Sequence, residues 1–295
     1  MSAPTRATSA GRAYLDLRKL AREHRRPVDE LLQLYVLEAF LARLTGSRFA
    51  DQLVLKGGVL LAALDERRPT RDVDLQGQAV ENNMETIRAT ACEVAAIALD
   101  DGVIFDVETA RAQEIRDEEI YAGVRVTMQA RLASARLHFH IDTNVGDPIT
   151  PAPQDVRLPR LLGGEIRLRG YPLAMVHAEK IVTAIARGTV NTRWRDFADI
   201  YMLAGRHAID GTELVRSTRR VAEHRHVQLT PLVEVLAGYG DIGQQRWAAW
   251  RRRQHIEDRL PEQFEDVLAV VIGFADPAIV GSAEGRSWDP VAGAW

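Results

Sequence analysis

Three successive segments, VIFDVETA at 103–110, YAGVRVTMQA at 121–130 and ARLHFHIDTNVG at 135–146, place apolar residues at alternate positions. Strand side chains point alternately to two faces, so a period of two specifies strands with one face buried. Beyond residue 172 the apolar spacing changes to three and four, the period of a helix with one buried stripe. A chain that switches period in this way is neither all-helical nor all-β. The expectation is a mixed α+β protein, with a small mixed sheet flanked by helices and a helical C-terminal domain.

The rest of the chain fits around that division. Residues 11–45 read as two helical pieces, with Pro27 suited to the first turn of the second. In RFADQLVLKGGVLLAAL a glycine pair interrupts two apolar stretches and can open a short helix at Gly58. ERRPTRDVDLQG reads as a turn entering a strand, and ENNMETIRATACEVAAIAL as a helix. GDPITPAPQDVRLPRLLGG holds four prolines and reads as a connector that closes a first domain near residue 165; IRLRGYPLAM adds one more strand. The expected domains are 1–165, a helical domain over 166–276, and a weakly structured tail over 277–295.

Hydrophobic residues make up 46 %, enough for a sizeable core, and no run reaches the length of a membrane span. The first residues lack the apolar stretch of a secretory signal. The single cysteine, Cys92, excludes an internal disulfide, so the reducing cytoplasm is the expected compartment. A net charge of -3 means that any nucleic-acid contact needs a local basic patch. Lysine occurs only as Lys19, Lys56 and Lys180, the remaining basic residues being arginine.

Asp72 and Asp74 of RDVDL lie two apart, so on a strand they share a face while Val73 and Leu75 turn to the core. Adjacent carboxylates repel unless something neutralises them, and a divalent cation does so well. Alone, so short a motif reads more readily as a polar turn with two solvated acids. ARLHFHIDTN supplies a third acid, Asp142, on the face opposite Leu137, Phe139 and Ile141. The run His138, His140, Asp142 also resembles the zinc-binding run of metallo-β-lactamase-like hydrolases. That run continues with a further histidine, where this chain has Thr143.

Gly57 and Gly58 let backbone N–H groups approach a phosphate, with Lys56 beside them; a tight turn between buried segments is the plainer alternative. Lys180 lies at the margin of an apolar stripe on HAEKIVTAIARG. On the next helix Asp196 and Asp199, three apart, share a face, and Arg193 is placed to pair with Asp196.

In order along the chain stand KGG before a helix, TRDVDL, a strand with a third aspartate, EK on a helix, and RDFAD on the next. This order resembles the AbiEii/AbiGii-type nucleotidyltransferase toxins of the DNA polymerase β-like superfamily, and within them the mycobacterial MenT group, over residues 50–205. The resemblance implies a polymerase β-like core. Its glycine motif falls on Gly57 and Gly58, preceded by Lys56. Its metal-binding pair falls on Asp72 and Asp74, and its third acid on Asp142. The later motifs fall on Lys180 and on Asp196 and Asp199, with Asp199 preferred. Lys56, Asp74, Asp142, Lys180 and Asp199 are then the expected catalytic residues. Lys56, Gly57, Gly58, Thr70, Arg71 and Lys180 are the expected nucleotide contacts, and Asp72, Asp74 and Asp142 the ligands of Mg²⁺ or Mn²⁺. One departure is Gly58, where many superfamily members carry serine.

The resemblance further implies transfer of a nucleoside monophosphate from a nucleoside triphosphate to an acceptor, foremost tRNA, by a toxin with a cognate antitoxin and no membrane partner. Candidate tRNA contacts are Arg216, Arg219 and Arg220, and Arg251 to Arg253 beside Trp247 and Trp250; the plainer reading of each patch is a solvated amphipathic helix with its tryptophans in the core. The alternatives are transfer to a protein or small molecule, or a non-catalytic nucleotide-binding module.

Overall fold

The computed structural model describes residues 4–116 and 122–295, so Tyr121, the first residue of one expected strand, lies outside them. The chain divides into two compact units, Met1–Gly146 with Gln154–Gly170, and Asp147–Pro153 with Tyr171–Trp295. The architecture is mixed α/β, as the change of period predicts.

The first unit opens with helix α1 (Ser9–Glu23), whose start is capped by the Thr8 hydroxyl accepting the Gly11 N–H at 3.0 Å. Helix α2 (Val28–Thr45) follows Pro27, which sits just ahead of the first turn. Its buried residues run from Leu31 to Leu44 on nearly every side, so it is a core helix. Two charged side chains are carried inside with it. Glu38 accepts from Arg67 at 2.6 Å and from the Leu161 N–H at 3.0 Å. Arg43 donates to Asp101 at 2.5 Å and to the Val103 carbonyl at 3.1 Å. Buried charges survive only when answered in this way.

Seven strands form the sheet, in the order β3–β4–β5–β2–β1–β7–β6. They are β1 (Leu53–Lys56), β2 (Asp72–Gly77), β3 (Val103–Arg116), β4 (Ala122–Leu132), β5 (Ala135–Val145), β6 (Gln154–Pro159) and β7 (Glu165–Gly170). Pairs β2/β5 and β1/β7 are parallel and the others antiparallel. A single helical turn, α3 (Gly57–Leu60), follows β1 directly, and α4 (Met84–Ala95) follows β2. Phe40 of α2, Phe105 of β3 and Phe139 of β5 pack ring on ring, with centroids 5.0 to 6.2 Å apart.

Two strands are less visible in the sequence. All four residues of β1 are buried, so it shows no alternation. β6 lies inside the proline-rich stretch expected to be a connector. Val156 and Leu158 alternate inward there, and β6 is an edge strand, where Pro159 costs the ladder nothing.

The second unit contains α5 (Leu173–Arg187), α6 (Trp194–Ala204), α7 (Gly211–His224), α8 (Leu232–Val235), α9 (Tyr239–Gln254) and α10 (Phe264–Ile279). Its core gathers Trp194, Phe197, Tyr239, Trp247 and Phe264, with Phe274 and Trp288 further along. A two-residue ladder pairs β8 (Ile209–Asp210) with β9 (Ser287–Trp288). The stretch 277–295, weakly structured by composition, is therefore held in place. Trp288 is buried and donates its indole N–H to the Ala204 carbonyl at 2.7 Å. Trp295 stacks on Phe274 and donates to its carbonyl at 2.9 Å. Two aromatic anchors outweigh a polar, glycine-containing composition. Among the described residues no helix is long and apolar enough to cross a membrane.

Candidate functional site

Strand register assembles the site. Lys56 of β1 stands opposite Asp74 of β2, Asp74 opposite Asp142 of β5, and Asp142 opposite Arg125 of β4. Register partners share a sheet face, so these four form one row, ordered cation, acid, acid, cation. In the adjacent row Asp72 stands opposite His140, and His140 opposite Thr127. Val73, Leu75 and Ile141, on the other face, are fully buried and fix the register through the core. Carboxylate oxygens of Asp72, Asp74 and Asp142 all lie within 4.8 Å of one another, a set able to hold a metal ion.

Burial first, then repulsion from Asp72 and Asp142, pushes the Asp74 carboxyl up to about 7, while Lys56 and Arg68 oppose the shift. A divalent ion at the three carboxylates would offset both the burial and the repulsion that disfavour the charged form of Asp74. Arg125 answers part of the negative charge. Its Nε donates to Asp142 Oδ1 at 2.7 Å and its Nη2 to Oδ2 at 2.5 Å, with Asp72 Oδ2 3.7 Å away.

The glycine pair is required by contact. Gly57 has φ +65, and a Cβ there would lie 1.9 Å from Asp74 Oδ2. The Gly58 N–H points at the same oxygen, at 3.4 Å. A Cβ on Gly58 would come within 2.5 Å of Thr70 Oγ1, so the space for a serine side chain at 58 is taken by the Thr70 hydroxyl. That hydroxyl is buried and donates to Asp72 Oδ1 at 3.4 Å.

Lys56, Gly57, Gly58, Thr70, Asp72, Asp74 and Asp142 therefore come together as the sequence suggested. Arg71 does not share their setting. Its side chain is exposed, and its carbonyl accepts from Gln33 at 3.2 Å. The arginines that act on the acids are Arg68 and Arg125, which sequence reasoning passed over. Arg125 sits between core residues Val124 and Val126, a cation on the polar face of a strand. That signal was available, but the row it joins depends on long-range register. The zinc alternative gains nothing: the metal-capable group among the described residues is the three aspartates. His138 is exposed, and His140 Nδ1 lies 3.1 Å from Thr127 Oγ1.

The second unit holds its own ion network. Lys180 Nζ donates to Asp196 Oδ1 and to Asp199 Oδ2, each at 2.8 Å, and Arg193 donates to Asp196 Oδ2 at 2.6 Å. Burial alone would raise the Asp196 carboxyl, yet Lys180 and Arg193 hold it below the usual carboxylate range. Asp199 is completely enclosed, so it acts on Lys180 and not on solvent. The expected face-sharing of Asp196 and Asp199, and the Arg193 partnership, are both present.

The basic patches need correction. Trp247 is fully buried and donates to the Pro261 carbonyl at 3.2 Å, so no base can stack on it. Arg251 is also buried, bound to the Glu257 carbonyl at 2.9 Å. Arg216, Arg252 and Arg253 are exposed; Arg219 and Arg220 are exposed but paired with Glu284 and Glu223.

Residues 39–270 match the family described as nucleotidyl transferase AbiEii toxin of type IV toxin–antitoxin systems. The chain belongs to that family and is a nucleotidyltransferase. Membership implies a nucleoside triphosphate as substrate and an antitoxin as partner. No curated protein matches the chain at a significant level. Two solved structures have a similar outline. One is a protein of H. pylori proposed to be a nucleotidyltransferase, 13 % identical with a TM-score of 0.48, covering 92 % of this chain and 96 % of that one. The other is JHP933 from Helicobacter pylori, 12 % identical with a TM-score of 0.49, covering 92 % of this chain and 93 % of that one.

Proposed function

We propose that this nucleotidyltransferase is metal-dependent and transfers a nucleoside monophosphate to tRNA, which would block translation. The observation that carries the metal reading is the row Lys56, Asp74, Asp142, Arg125, with three carboxylates within 4.8 Å beside a glycine pair that admits no side chain. Asp72 and Asp74, joined by Asp142, would hold Mg²⁺ or Mn²⁺. When bound, such an ion supplies Lewis acidity toward the triphosphate and lowers the pKa of the acceptor hydroxyl. The hydroxyl oxygen bonds to the α-phosphorus, the bond to the bridging oxygen breaks, and pyrophosphate leaves. In this reading Asp142, released from Arg125, would accept the hydroxyl proton. Lys56, the last residue of the interior strand β1, would offset charge on the phosphates, where a fixed, buried cation is worth more than in water.

Lys180 takes a phosphate-side role by resemblance, and its two carboxylate partners support a side chain held in one position. Asp199 then serves as its positioning residue. A tRNA acceptor rests on the family resemblance and on exposed Arg216, Arg252 and Arg253.

Incubation with each labelled nucleoside triphosphate, Mg²⁺ and total tRNA tests the reading. Label should appear on tRNA and should vanish with Asp74→Ala. Label on protein instead would redirect the acceptor. Undiminished transfer by Asp74→Ala would remove the metal assignment.

A further inference from the structure

Arg125 is the charged group of the row that the reaction above leaves without a task. Both oxygens of Asp142 are committed to it, at 2.7 and 2.5 Å, in the paired geometry that suits a guanidinium to a carboxylate. Asp72 and Asp74 are held more loosely, Asp72 by the Thr70 hydroxyl at 3.4 Å and Arg125 Nη2 at 3.7 Å, and Asp74 by the Gly58 N–H at 3.4 Å. Arginine keeps its charge under all ordinary conditions, so this clamp does not release by losing a proton. A cation seeking Asp142 as a ligand meets an occupied carboxylate.

Resting on the metal-site reading, we infer that Arg125 competes with the divalent cation for Asp142. In the nucleotide-free protein the cation is held by Asp72 and Asp74, and Asp142 joins them only when the guanidinium turns away. Arg125 is thus a positioning residue that keeps the ligand set incomplete in the resting protein.

The test is Mn²⁺ binding to the full chain without nucleotide, read by electron paramagnetic resonance. Arg125→Gln should tighten binding by about tenfold or more, the scale on which partners of metal ligands act. Loss of a positive charge would also tighten binding, so the same change is made in Asp142→Asn. If competition for Asp142 is the cause, the gain there falls to about threefold or less, because the two effects are coupled. Equal gains in both backgrounds, or no gain in either, overturn the inference. Arg125→Lys keeps the charge and loses the two-pronged bond. It should bind between wild type and Arg125→Gln, and it preserves the test if the glutamine variant fails to fold. A lysine variant indistinguishable from wild type refutes the clamp. No Mn²⁺ binding by any form, wild type included, would remove the metal-site reading itself.

Discussion

His177 of α5 offers a test that does not involve the reaction. Its side chain is fully buried, neither ring nitrogen has a hydrogen-bond partner among the described residues, and the Phe274 ring lies 4.7 Å away. Burial, aided by the charges of Lys180 and His207, pushes the imidazole down from 6.5 to about 3. The unfolded chain therefore takes up a proton near the ordinary value, while the folded chain resists until far lower pH. Stability from this group is complete above the unfolded value and is lost as pH falls toward the folded one. Between pH 7.5 and 5 the loss amounts to about 2 kcal/mol. The readout is built in, because all five tryptophans, Trp194, Trp247, Trp250, Trp288 and Trp295, lie in the second unit. Their emission during urea unfolding reports that unit alone. With a slope of about 2 kcal/mol per molar urea, the wild-type midpoint should fall by about 1 M more than that of His177→Met over this pH range. Parallel falls in the two proteins would show that the buried imidazole is not the titrating group.

Gly57→Ala combines left-handed strain of about 1–2 kcal/mol with a Cβ 1.9 Å from the Asp74 carboxylate, so Asp74 must move. Mn²⁺ affinity and transfer should both drop by about tenfold or more, and a variant with wild-type Mn²⁺ affinity would remove the steric reading of that glycine. Lys180→Ala leaves Asp196 and Asp199 buried beside each other without the ammonium that donates to both. The tryptophan-detected transition should lose about 3–5 kcal/mol and transfer should fall strongly. Unchanged stability with unchanged transfer would return Lys180 to an ordinary solvated face.

The site was legible where its logic is local. Asp72, Asp74 and Asp142 announce themselves because two-residue alternation assigns each a face before any partner is known. Gly57 and Gly58 stand out because they interrupt an apolar run. Arg125 was not legible, since only the pairing of β4 with β5 decides which of several polar-face residues reaches Asp142. β1 escaped because a strand buried on both faces has no period, and β6 because its prolines resemble those of a loop. Arg251 misled for the opposite reason. α9 is so rich in polar residues that its buried side is hard to read from composition; Trp247 lies in the core, as the plainer reading of the patch has it, and Arg251 is buried with it.

The row Lys56, Asp74, Asp142, Arg125 also governs when the protein can act. Its members come from four strands spread along the chain, and the parallel pairing of β2 with β5 must wait until β5 has been synthesised. Pairing of this non-local kind forms late, because the closure entropy comes before any contact rewards it. A growing chain that ends short of β5 has the glycine turn, the first two acids and Arg125 but lacks the third acid, Asp142. For a member of a toxin family, activity then waits on the closing of the sheet, which cannot precede the synthesis of β5.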